Sequence, residues 1–485
     1  MGLPVTKNWI DELRTIVGPR NVITGSESLA WESDGLSLVR GMGQAIVLPL
    51  DTEETVRVMK LLAREGVPVV PRGAGTGLTG GATPVGGGVT VGTARMREIF
   101  TIDPVGRLAH VQAGVVNSDL SVAARPHGLF YAPDPSSQAA CTLGGNVANN
   151  SGGPHCFMHG STTRHVRGVK LVDAEGQVLD LLASPADPEG LDLVGLITGS
   201  EGMFGIVTEV KLNLEPLPEE VQTIIAVFPS LDAACDCVSE AIAAHIEASA
   251  IEILDKLTIA AVEDSIFAAG YPREAEALLL VEAEGGALEV QETIDLVLQL
   301  ARKHGAMEIR SAQDKAERAR LWAGRKGAFG AMGRVAPDLY VADVVAPRTR
   351  LREIVALAIE IAEERNLRLG NVFHAGDGNL HPNIAYDRRD EDEVRRVLEA
   401  GQLIMEACIE RGGSLTGEHG VGVEKMTHMC DLFDDDDLNT MHRVRDALDP
   451  KRRMNPTKVL PLRACREVRN GGLPFSPMGN LEAKT

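Results

Sequence analysis

The sequence predicts an α+β protein with more than one domain, on three observations. With 485 residues and 44% hydrophobic content, the chain is long enough for two or three separate cores. Its first half alternates short apolar strands with helices and stops at Glu215-Pro-Leu-Pro218, a natural domain boundary. From about Val221 strand and helix recur in pairs, the texture of an antiparallel sheet with helices on one face.

The elements follow in order. Thr55 to Gly66 places Val56, Met59, Leu62 and Ala63 on one side, as in an amphipathic helix. Val67 to Val70 is a strand that runs into a glycine loop, Gly73 to Gly81. Val89 to Gly92, Leu108 to Gln112 and Val169 to Val172 are further strands, and Ile206 to Leu214 alternates cleanly. In the second half the strands are Thr223 to Phe228, Ala277 to Glu282 and Leu339 to Val345. The helices between and after them are Leu231 to Ala248, Ala287 to His304, Arg350 to Asn366 and Glu391 to Arg411. Asp434 to Asp437 reads as a solvated helix start, because a calcium loop alternates its acids and carries a glycine. The stretch from Asn455 onward is irregular and ends in a polar tail.

Composition narrows the function. A net charge of -20 argues against nucleic acid, whose phosphates are met by Lys and Arg, and against adsorption to anionic lipid. No apolar run reaches 18 residues, and the N-terminus has no apolar leader, so a cytoplasmic protein without a membrane span is expected. Gly2 and Thr6 fit a myristoylation pattern only nominally. Seven cysteines without a CxxC pair suit reduced thiols, and no iron–sulfur spacing is present.

Two glycine-rich segments are candidates for holding a phosphate. Arg72-Gly-Ala-Gly-Thr-Gly-Leu-Thr-Gly-Gly81 follows a strand, and glycine-rich backbone turns its N–H groups inward as an anion nest. Gly75, Gly77 and Gly80 satisfy GxGxxG, but Ala82-Thr-Pro-Val-Gly-Gly-Gly88 cannot open the helix a nicotinamide-nucleotide site needs. A second segment, Pro133-Asp-Pro-Ser-Ser137 with Gly144-Gly-Asn146 and Asn149 to Gly153, adds side-chain hydroxyls and amides.

Asn371-Val-Phe-His-Ala-Gly-Asp-Gly-Asn-Leu-His-Pro-Asn383 reads as a hairpin. With its loop at Gly376 to Asn379, His374 and His381 sit directly opposite, Cβ atoms about 5 Å apart on one face, which Asn383 shares. Glu418 and His419 lie together in a second glycine-rich turn, Gly412 to Gly422. Two histidines and a carboxylate leave open positions on a metal, as in a catalytic site. Unaided, such histidines are as readily ordinary strand and loop residues, and Arg325 an ordinary surface arginine.

At these blocks the chain resembles the FAD-linked oxidases of the vanillyl-alcohol-oxidase, PCMH-type fold, in the branch of glycolate oxidase FAD subunits and D-lactate and D-2-hydroxyglutarate dehydrogenases. The resemblance covers roughly residues 20 to 475. It rests on Pro71 to Gly81, Pro133 to Gly153, Thr198 to Glu209, Trp322-Ala-Gly-Arg-Lys326, the Asn371 hairpin, Gly417 to Gly422 and Asn455-Pro-Thr-Lys458.

The resemblance implies a PCMH-type FAD-binding domain (1–218), an α+β cap with an antiparallel sheet and the metal site (219–430), and a C-terminal segment (431–485) packing back on the FAD domain. FAD would bind non-covalently, since Thr76 and Leu78 stand where covalent relatives carry a histidine. The residues expected around it are Arg72, Gly73, Ala74, Gly75, Thr76, Gly77, Leu78, Thr79, Pro133, Asp134, Ser136, Ser137, Gly144, Gly145, Asn149, Gly153, Glu201, Gly202, Ile206, Val207, Asn455 and Lys458. His374, His381 and Glu418 would hold a divalent metal (Zn, Mn or Fe), His419 would be the base, and Arg325 with Asn383 would meet the substrate. The implied reaction is oxidation of a short 2-hydroxy acid, glycolate or D-lactate. Electrons would pass to an iron–sulfur partner subunit that links the chain peripherally to the inner membrane; the alternative is a stand-alone D-lactate or D-2-hydroxyglutarate dehydrogenase. A nicotinamide-dependent dehydrogenase, a non-catalytic flavin subunit and a metal hydrolase are the rival classes.

Overall fold

The computed structural model describes residues 8–183 and 190–461, so Gly2, Thr6 and the polar tail lie outside it. The described residues form two compact units. One holds those of Met1–Ser151, Ser161–Leu217 and His419–Thr485; the other holds those of Gly152–Gly160 and Pro218–Glu418. The sequence reading set these boundaries at 218 and 430.

The first unit carries two main sheets. Strands Ala45–Val47, Val89–Gly92 and Val69–Arg72 run parallel, with Val22–Ile23 antiparallel at the edge. The helix Thr52–Arg64 supplies the crossover, capped by the Asp51 side chain on the Glu54 amide. It buries Val58, Met59, Leu61 and Leu62 in a core that also takes Val69, Val89 and Met454. The second sheet is antiparallel, in the order Ile99–Asp103, Leu108–Gln112, Ile206–Asn213, Val166–Val172, Val178–Asp180.

The second unit is built on an antiparallel sheet in the order Glu308–Ser311, Glu220–Phe228, Ala277–Gly285, Ala250–Asp255, Arg368–His374. Ala277–Gly285 is apolar almost throughout because it lies in the middle, buried on both faces. The helices Leu231–Ala243 and Ala287–Lys303 pack against it.

Four expectations change. Leu339 to Val345 is two strands, Asp338–Val341 and Val344–Val345, with Asp343 in the break. The helix Lys315–Ala331 is absent from the sequence reading, because Gly324, Gly327 and Gly330 dilute its apolar period. Those glycines admit neighbours: a Cβ at Gly327 would lie 2.3 Å from the Phe267 ring. Leu143–Asn149, read as loop, is a short helix capped by Thr142 on the Gly145 amide; its paired glycines masked it. Cys141, Cys156, Cys235, Cys237 and Cys408 are free thiols, whereas Cys430 is disulfide-bonded, against the expectation of thiols throughout.

Candidate active site

The hairpin in the second unit differs from its expected register. Its turn is Ala375 to Gly378, one residue earlier than Gly376 to Asn379, so His374 pairs with Asn379 rather than His381. The physical reason is Gly378, whose φ of 80° takes the left-handed position and whose amide closes on the His374 carbonyl at 3.2 Å. His381 lies two residues beyond Asn379 and becomes a diagonal neighbour of His374. The two rings still meet edge to face, with centroids 5.1 Å apart.

His374, His381 and Glu418 come together. The Nε2 atoms of both histidines lie 3.1 Å from the same oxygen, Oε1 of Glu418. Behind His374 stands Glu252, fully buried, with Oε1 2.7 Å from Nδ1. Behind His381 stands Asp343, with Oδ1 3.6 Å from Nδ1. Asp343 also accepts from Thr416 Oγ1 at 2.6 Å and from the Gly417 amide at 2.9 Å, which orients the turn carrying Glu418.

With the Nδ1 proton of His374 directed at Glu252, its Nε2 presents a lone pair. Two imidazole nitrogens, each 3.1 Å from one anionic oxygen, are disfavoured unless a proton or cation lies among them. The ligand atoms lie within 4.8 Å of one another. The donor set therefore fits a divalent cation.

Burial lowers the proton affinity of His374, but the carboxylates of Glu252 and Glu418 outweigh it and hold the imidazole well above the usual histidine value. Burial conversely raises Glu418, and its bonds to the two histidines outweigh that and hold it well below the usual carboxylate range. A histidine raised on folding stabilises the fold below its unfolded value of about 6.5, and that contribution is lost as pH climbs through the raised value. Chelator-treated protein should therefore melt progressively lower as pH rises above about 6.5, and added Zn²⁺ or Mn²⁺ should flatten the decline. Melting curves that coincide with and without cation across that range would remove the site.

Arg325 projects from the Lys315–Ala331 helix and is buried. Its Nε and Nη2 lie 2.5 Å from Glu252 Oε2, and Nη2 is 3.3 Å from His374 Nδ1. The guanidinium is thus tied to Glu252 along its Nε–Nη2 edge. Asn383 is buried and donates from Nδ2 to the His381 carbonyl at 2.6 Å. Glu252 and Asp343 were not among the residues expected. Their signal was available: each is a lone acid inside an apolar run, Ala250-Ile-Glu-Ile-Leu and Tyr340-Val-Ala-Asp-Val-Val345.

In the first unit, no backbone amide from Ala74 to Gly81 donates to a main-chain carbonyl among the described residues. A run of amides without main-chain acceptors, in a glycine-rich turn, suits a pyrophosphate, although Thr79 and Gly80 are buried. Gly73 brings the two predicted segments together, since a Cβ there would lie 2.4 Å from Thr142 Oγ1. The Ser136 and Ser137 amides likewise have no main-chain acceptor, while the Pro133 carbonyl accepts from Asn117 Nδ2 at 3.0 Å. Arg72 lies beneath the loop, donating from Nη1 to the Ser33 carbonyl at 2.9 Å with its guanidinium 5.2 Å from the Trp31 ring.

Gly75 has φ 72°, and a Cβ would lie 2.2 Å from Arg72 Nη2. Gly75→Val should purify folded but largely without flavin, read as the loss of the visible flavin band at unchanged circular dichroism. A fully yellow variant would place the cofactor elsewhere.

The other residues expected at the cofactor fall into two groups. Asn149 Nδ2 and Thr79 Oγ1 hold the His419 carbonyl, at 3.0 and 3.4 Å. Glu201 accepts from the Val421 and Gly422 amides at 2.7 and 2.8 Å. Asn455 Nδ2 donates to the Glu201 carbonyl, and Lys458 Nζ donates to the Gly81 carbonyl, each at 2.7 Å. Burial pushes the Lys458 ammonium down to about 7. Glu201, Asn455, Thr457 and Val459 all have φ between 41° and 65°, a costly conformation for side-chain-bearing residues and above all for β-branched valine. Gly144, Gly145, Gly202, Ile206 and Val207 also belong to this unit, whereas Gly153 belongs to the second.

Two family descriptions match the chain: the FAD binding domain over residues 43–182, and the FAD linked oxidases, C-terminal domain, over residues 217–459. The chain belongs to the FAD-linked oxidases. It is 45% identical over 458 residues to the glycolate oxidase subunit GlcD of Escherichia coli (strain K12), covering 93% of this chain and 92% of that one. It is 30% identical over 465 residues to a D-lactate dehydrogenase of Anaerostipes hadrus, covering 94% and 98%. The crystal structure of p-cresol methylhydroxylase with substrate bound matches at a TM-score of 0.79 and 16% identity, over 94% of this chain and 96% of that one, and shows the fold. This FAD-linked oxidase is therefore an oxidoreductase with the expected PCMH-type α+β fold. Among its described residues no helix is long and apolar enough to cross a membrane.

Proposed function

We propose that this FAD-linked oxidase oxidises a short 2-hydroxy monocarboxylate to the 2-oxo acid, with glycolate as the leading substrate and D-lactate as the second. The observation that carries the reading is the convergence of His374, His381 and Glu418 beside the Glu252–Arg325 pair. His374, His381 and Glu418 would hold a divalent cation, which would lower the pKa of the substrate hydroxyl. Arg325 meets the substrate carboxylate along its Nη1 side, a charge-assisted contact, and Asn383 lies on the same hairpin to assist. His419 takes the hydroxyl proton, because an imidazole titrates near neutrality; Asn149 and Thr79 fix its backbone. Bound FAD supplies the two-electron acceptor for the Cα hydride. Glu418 and His419 are consecutive, so cation ligand and base are joined by one peptide bond.

The test is anaerobic bleaching of the flavin by glycolate, D-lactate, L-lactate and D-2-hydroxyglutarate in turn. Rapid bleaching by glycolate supports the reading. Selective bleaching by D-lactate favours the dehydrogenase alternative suggested by the Anaerostipes hadrus relative. No bleaching by any of them would defeat both.

The Escherichia coli relative is named as a subunit. An acidic chain without cluster ligands needs a route for its electrons, so an iron–sulfur partner docking by protein contact completes the proposal. Quinone reduction in liposomes by the isolated chain, as fast as in whole membranes, would make that partner unnecessary.

A further inference from the structure

We infer that Glu252 and Asp343 are positioning residues for the cation site, each holding one histidine from behind and together setting the charge that the site presents. The inference rests on the proposed cation reading and deepens it. Both carboxylates are fully buried, in an interior where a lone anion is disfavoured. Both face the Nδ1 side of a histidine whose Nε2 faces Glu418, at 2.7 Å for Glu252 and 3.6 Å for Asp343. A carboxylate hydrogen-bonded to Nδ1, as Glu252 is to His374, fixes the tautomer, stops ring rotation and makes Nε2 a stronger donor, whereas Asp343 at 3.6 Å acts on His381 through its charge.

Each acid does a second task. Glu252 Oε2 holds Arg325, so one buried carboxylate ties the His374 ring to the proposed substrate clamp. Asp343 Oδ2 holds the Thr416 hydroxyl and the Gly417 amide, which sets the direction of Glu418. Two acids thus stand behind the three proposed ligands, and Asp343 also lies within 4.8 Å of ligand atoms of His381 and His419. The site's charge follows. Arg325 offsets Glu252; Asp343 and Glu418 each face a histidine, and ligating imidazoles are neutral. Two negative charges remain, which one divalent cation neutralises and a monovalent one does not.

Glu252→Gln keeps the shape but places an amide NH₂ where one of two donors, His374 Nδ1–H or Arg325, now binds an oxygen. The ring then loses its fixed tautomer. The test uses the flavin-loaded full chain and measures Zn²⁺ and Mn²⁺ affinity by chelator competition, with flavin absorbance and melting temperature as controls for folding. Glu252→Gln and Asp343→Asn should each bind 10- to 100-fold more weakly than wild type while staying yellow and folded. Affinities equal to wild type in both variants would overturn the inference and leave the cation site standing. A wild type that binds no ion, indistinguishable from His381→Ala, would overturn the reading beneath it as well. If Glu252→Gln does not fold, the double variant Glu252→Gln/Arg325→Gln removes the buried pair together, and it and Asp343→Asn decide on the same readout.

Discussion

His381→Ala is expected to lose stoichiometric metal and nearly all turnover while the flavin stays bound. The imidazole supplies one of only two nitrogen donors, and its Nε2 lies 3.1 Å from the Glu418 oxygen it would share with the ion. Without it the partly buried Glu418 carboxylate keeps only His374 of the proposed set, too few protein ligands for a catalytic ion. The glycine loop Ala74 to Gly81, proposed to hold the flavin, belongs to the other unit. Metal content by mass spectrometry and the visible flavin band are read on the same sample. Full occupancy in the variant would eliminate His381 as a ligand.

Arg325→Lys is expected to reduce kcat/KM by about 2 kcal/mol or more, roughly 30-fold, with the protein still folded. Arginine serves two directions at once: its Nε–Nη2 edge binds Glu252, and Nη1 would take the substrate carboxylate. A lysine has one compact ammonium that satisfies Glu252 or the substrate, not both. Arg325→Met goes further and leaves the buried Glu252 with His374 as its remaining partner, a loss of up to about 3–5 kcal/mol in stability. Unfolding in denaturant separates the two variants. Wild-type kinetics in Arg325→Lys would move the carboxylate clamp elsewhere.

Much of this molecule was readable from local pattern. Val89–Gly92 and Leu108–Gln112 were legible as short apolar strands, and Ile206–Asn213 carries a period of two that its burial follows residue by residue. Asp434 was legible as a helix start because its side chain caps the Asp437 amide three residues on. The glycine loop was separable from a nicotinamide-nucleotide site because Pro84 and three glycines exclude the helix that site requires. The helix bearing Arg325 was not legible, since its glycines answer to Phe267 and Tyr271, residues some 50 to 60 positions away.

By itself the sequence determined the donor types, the two glycine segments, the strand and helix periods and the resemblance that names the family, since all of these are set by residues close together along the chain. The tertiary structure decided which acids stand behind the histidines. Glu252 comes from a strand that pairs with Arg368–His374 across more than a hundred residues, and Asp343 from a break between two strands. It also decided the hairpin register, through one left-handed glycine, and the engagement of Arg325 with Glu252. The physical reason is the same in each case. Burying a charge is tolerable only beside its partner, and nothing in the local sequence says which distant residue the fold will bring there.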